Sequence, residues 1–66
     1  MTSYTIKAGE VVLGTFDVAE VSDPAIASGI VSTLSLSSGT AVSVHATSGD
    51  DYLAIYDGQV VTVEAG

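Results

Sequence analysis

His45 is the one histidine of this sequence, the residue type most often used as a general base. To act as a general base it needs a nucleophile or an orienting carboxylate within hydrogen-bond reach. Ser43 and Thr47 stand two residues to either side and so share its face of a strand. Strand alternation produces that spacing anyway, and no serine occupies the G-x-S-x-G setting of a nucleophile elbow. His45 reads as an exposed strand histidine, and no catalytic residue is expected.

The carboxylates fall into two groups. Asp50, Asp51 and Asp57 bracket one predicted hairpin, with Asp57 at the far end of its strand from the other two. Calcium needs about six to eight oxygen ligands, and the three do not converge, so they read as turn formers. Glu10, Asp17, Glu20 and Asp23 form a looser acidic run. Two carboxylates can hydrolyse a glycoside, but a chain of 66 residues with no Trp and no long loop has nowhere to hold a sugar. The run reads as solvated surface. With no Cys and a single His, a structural zinc site is nearly excluded as well. Neither a metal, nor a cofactor, nor an enzymatic activity is expected.

The elements that carry these residues are short and β-like. Glycines at 29, 39, 49 and 58 divide the second half into segments rich in Val, Ile, Leu, Thr and Tyr. Tyr4 to Lys7 alternates, with Tyr4 and Ile6 on one face. Glu10 to Val18 is a longer strand with Val12, Phe16 and Val18 on one face, Val11 and Leu13 on the other, and a bulge or bend at Gly14. Asp23-Pro24 opens at most one short helical turn near residues 24–28, with Asp23 as N-cap and Gly29 as its stop.

Ile30 to Leu36, Ala41 to Thr47, Tyr52 to Tyr56 and Gln59 to Glu64 complete a predicted set of six strands. Turns are expected at Ser37 to Thr40, Ser48 to Asp51 and Asp57-Gly58, the last a type I′ hairpin turn. Short connections pair neighbours antiparallel. The expected fold is a single all-β domain over residues 1–66, a small antiparallel β-barrel or two-sheet sandwich of about six short strands.

Composition bounds the partners. Hydrophobic residues make up 47% and charged residues 14% of the chain, and nine Ser and seven Thr supply much of the polar surface. A domain of this size buries only about 60% of its unfolded surface. Without disulfides or metal, the available supplement to its stability is association, with a partner or as a homo-oligomer. The net charge is −7 with Lys7 the sole basic side chain, which excludes phosphate-neutralising nucleic-acid binding and disfavours an anionic membrane surface. No apolar run approaches the ~20 residues of a membrane span. The first residues lack the pattern of a secretory signal, so synthesis in a cytosol is expected.

The segment Tyr4-Thr5-Ile6-Lys7-Ala8-Gly9-Glu10-Val11-Val12-Leu13-Gly14-Thr15-Phe16 resembles the opening of small β-rich virion proteins of tailed bacteriophages, the head decoration or minor capsid proteins. Asp51 to Gly58 has a similar character. The resemblance implies a non-enzymatic structural protein on the capsid exterior, assembled in the host cytoplasm and stapling copies of the major capsid protein.

The expected interface residues are Tyr4, Ile6, Val11, Leu13, Tyr52 and Tyr56, together with the strand edges at the termini. Thr2 to Ile6 is expected to be able to add a strand to a partner sheet. The alternative reading is an acidic soluble interaction module, an adaptor or inhibitor, for which the net charge is the motive.

Overall fold

Alternation in the first eighteen residues is realised as a hairpin. In the computed structural model, which describes residues 1–37 and 39–66, β1 (Thr2–Ala8) pairs antiparallel with β2 (Val11–Val18). Tyr4 faces Phe16 and Ile6 faces Gly14 on the side that becomes the core. The register then slips between Ile6 and Lys7, leaving Leu13 as the extra residue of a bulge at the predicted place. The slip has a consequence for the faces. Val12 is set opposite Lys7 and is 56% exposed, so it leaves the Phe16–Val18 face on which simple alternation puts it.

The largest departure from expectation follows. Where the sequence reads as one helical turn and then a strand from Ile30 to Leu36, the chain forms one helix, α1 (Asp23–Thr33). Its N-cap is Ser22, not Asp23: the Ser22 backbone is extended and its hydroxyl accepts from the Ala25 N–H at 3.2 Å. Gly29 does not stop it. The helix ends at Thr33 with Leu34 as C-cap, and Ser35 just beyond has a φ of 54°, with the Leu36 N–H donating to the Val31 carbonyl at 3.0 Å. A left-handed residue beyond the cap with that six-to-one bond is a Schellman ending, here built on Ser instead of Gly. Ile26 and Ile30, four residues apart, are fully buried on one face. Each contributes about 1.5–3 kcal/mol of burial, which outweighs the modest helix propensity of the β-branched run.

The remaining strands are β3 (Ser43–Ala46), β4 (Tyr52–Tyr56) and β5 (Gln59–Ala65). Ser38 of the expected Ser37 to Thr40 turn lies outside the described residues; Thr40 N–H donates to the Ser37 carbonyl at 3.0 Å. Asp57 and Gly58 both have positive φ, 49° and 73°, as a type I′ turn requires. Among the described residues the strands form one five-stranded antiparallel sheet in the order β2-β1-β5-β4-β3. The fold is thus mostly β and antiparallel, as expected, but the described residues form five strands and not six. The sheet is open, not a barrel, and the helix takes the place that a second sheet would occupy in a sandwich.

Chain order explains the architecture. β2 and β3 are the opposite edges, and α1 carries the chain from one to the other across one face of the sheet, resting against both. A helix of this length spans about 16 Å, close to the roughly 19 Å across five strands. Beneath it lies the core: Tyr4, Ile6, Ala54, Tyr56, Val61 and Val63 from the sheet, Val18 at its margin, Ile26 and Ile30 from the helix. Val61 and Val63 point inward as their alternation predicts.

Candidate docking surface

The helix covers one face of the sheet and leaves the other open. Register assigns the open face residue by residue. Val12, Lys7, Thr62, Leu53 and His45 form one row across all five strands. Val60 and Ile55 are paired directly in the next row, followed by Ser43. On the other side of the first row, Thr15, Thr5 and Glu64 lie abreast. Val12, Val60 and Ile55 are exposed by 56%, 56% and 36%, and Leu53 is half-buried beside them. Strands with one solvated face place polar residues there; four large apolar side chains on the open face of so small a sheet depart from that pattern. Leu13, 39% exposed, lies in the bulge at the hairpin end, whereas Val11, 62% exposed, is paired with Ala8 and so belongs to the opposite, helix-bearing side of the sheet.

Polar contacts order the rest of this face. Lys7 Nζ lies 3.1 Å from Glu64 Oε2, so the one basic side chain is paired within the molecule. In the sheet Lys7 stands between Val12 of β2 and Thr62 of β5. The Ser3 hydroxyl donates to Asp17 Oδ1 at 2.7 Å near the β2 edge. His45 is exposed opposite Leu53. Ser43 shares this face, which is the arrangement that alternation predicts.

The residues singled out from sequence divide cleanly. Val11 and Leu13 are exposed, whereas Tyr4 and Ile6 have no exposed surface and Tyr56 is 7% exposed. Tyr52 is half-buried against the core. Tyr4 stacks on Phe16 with ring centroids 5.6 Å apart and meets Tyr52 edge-on at 6.2 Å, so three of the aromatics form one internal cluster. Burial pushes the Tyr4 phenol above its ordinary pKa, the charges of Tyr52, Asp50 and Asp51 acting in the same direction. Its hydroxyl donates to the Asp50 carbonyl at 3.0 Å.

Nor is the N-terminal strand available to a partner sheet. β1 is hydrogen-bonded to β2 on one side and β5 on the other. The free edges belong to β2 and β3.

Sequence reasoning missed the outer strip of Val12, Ile55 and Val60. Leu53 and Ile55 alternate with Tyr52, Ala54 and Tyr56, so β4 is apolar on both faces. That double-sided run was the available signal, and it points to a strand with something to cover on each side. Asp51 is more than the turn former that its place in sequence suggests. It also accepts the Ala65 N–H on Oδ1 at 2.9 Å, tying the end of β5 to the β3–β4 connection.

Among the described residues there is no cavity able to hold a small molecule, no grouping of three His, Asp or Glu side chains at metal-binding distance, and no helix long and apolar enough to cross a membrane. No family model, curated protein or solved structure matches the chain.

Proposed function

We propose that this chain is a non-enzymatic docking domain that attaches to a large protein assembly, and that the assembly is a bacteriophage head, decorated by contact with its major capsid protein. The observation that carries the reading is the uncovered sheet face, where Val12, Ile55 and Val60 stand exposed on a domain whose own helix already covers the opposite side. Exposed apolar area of this kind on a small fold is stabilised when a partner removes it from water. The resemblance of residues 4–16 to the opening of head decoration proteins is what favours a phage head over other assemblies.

Sedimentation of the endogenous protein through a sucrose gradient, with mass spectrometry of the fractions, tests the reading. Recovery with megadalton particles at high stoichiometry is the expected result. Recovery near the top, as a monomer or small oligomer, overturns it and leaves an acidic soluble interaction module.

A further inference from the structure

The open face has a charge pattern as well as an apolar centre. Glu10 and Asp57 sit in the two turns at one end of the strip, in the β1–β2 and β4–β5 connections. Glu64 and Asp17 lie toward the other end, Glu64 abreast of Thr5 and Asp17 abreast of Ser3. The single cation, Lys7, is already held 3.1 Å from Glu64. The strip of Val12, Ile55 and Val60 is therefore flanked by carboxylates at both ends, and Lys7, already paired with Glu64, is the only lysine or arginine to offset them. We infer that this face fits a protein surface whose apolar centre is ringed by lysine or arginine side chains, and not a second copy of this chain. Two copies brought face to face would oppose carboxylate to carboxylate, each molecule carrying a net charge of −7, and like charges across an interface select against a partner. A basic rim instead steers the encounter and aligns it, while the apolar centre supplies the affinity. The inference rests on the docking reading above and adds to it the chemistry of the partner.

The full chain is titrated against labelled synthetic strand peptides by fluorescence anisotropy. One peptide alternates Val with Lys, one alternates Val with Glu, and one alternates Ser with Lys. The Val/Lys peptide is expected to bind, with affinity falling about tenfold when salt is raised to about 0.5 M, and the other two to bind at least about tenfold more weakly. Val60→Thr, which keeps the β-branched shape on an exposed position, is expected to weaken Val/Lys binding about fourfold, the effect of one methyl group. Ile55→Thr serves the same purpose if circular dichroism shows the first variant misfolded. Equal binding of the Ser/Lys peptide overturns the inference, because charge alone then suffices. So does an unchanged affinity of both Thr variants, which would place the peptide away from the open face, as on a free sheet edge. A concentration-dependent dimer at low salt that Val60→Thr abolishes also overturns it, in favour of a second copy. Particle co-sedimentation without peptide binding leaves the docking reading standing and removes the basic rim; peptide binding without particle association does the reverse.

Discussion

The Phe16 ring lies so close to Gly29 that a Cβ on that glycine would overlap the ring. A glycine inside a helix costs about 1 kcal/mol relative to Ala, and this close approach is the reason it is tolerated. A second notch works in the opposite direction: a Cβ on Gly14 of β2 would lie 2.6 Å from Thr33 Cγ2 of α1. Strand and helix thus each supply a glycine where the other presents a side chain, which lets α1 settle onto the β2 edge.

Gly29→Ala is therefore expected to destabilise the protein by about 1–3 kcal/mol through overpacking, despite its better helix propensity. The same substitution in a Phe16→Ala background should change sign and stabilise by about 0.5–1 kcal/mol. Urea unfolding of the four proteins of this cycle measures the coupling. If Gly29→Ala stabilises both backgrounds, the close approach is not what holds glycine there.

The helix C-terminus offers a gain. Ser35 holds φ at 54°, a left-handed conformation that an L residue other than Gly adopts at a cost of about 1–2 kcal/mol. Ser35→Gly is expected to stabilise the fold by about 0.5–1 kcal/mol once the greater entropy of glycine in the unfolded chain is deducted. A raised urea midpoint with unchanged slope is the expected reading, and a lowered midpoint would contradict the cap geometry.

At the other end, Ser22 and Asp23 have separable roles. The Ser22 hydroxyl accepts the Ala25 N–H, so Ser22→Ala should cost about 1 kcal/mol. Asp23 sits in the first turn, at the positive end of the helix dipole, so Asp23→Ala should cost about 0.3–1 kcal/mol and lose most of that effect in high salt. Thermal melts at low and high salt distinguish the two.

These caps show why the sequence was half legible. Alternation is a local signal, and it places the hairpin of residues 4–18 and the inward Val61 and Val63, while the Asp-Gly pair itself marks the turn at Asp57-Gly58. The helix was missed for a physical reason. Gly29 looks like a stop until the Phe16 ring that requires it is known, and that contact joins residues thirteen apart in sequence. Ser35 in turn does a job usually given to Gly, so the true stop carried no mark. With Ile30 to Leu36 read as a strand, the sheet gained a sixth member and the covering layer disappeared.

The docking surface suffered from the same error. Val12 changes face because of one bulge, and which face of β4 is open depends on where the helix lies. The pairing of β1 with β5 is non-local as well; it buries Tyr4 and Ile6 and closes off the terminal edge on which the sequence reading relied.

The buried Tyr4 phenol gives the fold a predictable response to alkali. Burial raises its pKa above the ordinary 10.0, with Tyr52, Asp50 and Asp51 adding to the shift, so the folded protein keeps the proton longer than the unfolded chain does. Above about pH 10 the unfolded state binds fewer protons than the folded state, and stability falls as pH rises. The contribution is complete below pH 10 and is lost as pH climbs through the raised value. Tyr4→Phe removes this titration together with the 3.0 Å hydrogen bond to the Asp50 carbonyl. At neutral pH the variant is expected to be less stable by about 0.5–1.5 kcal/mol, yet its stability should decline less steeply in alkali, so that the two curves converge as pH rises. Urea midpoints measured from neutrality to strong alkali give both curves. A constant gap between them would mean that the alkaline decline belongs to a group other than Tyr4.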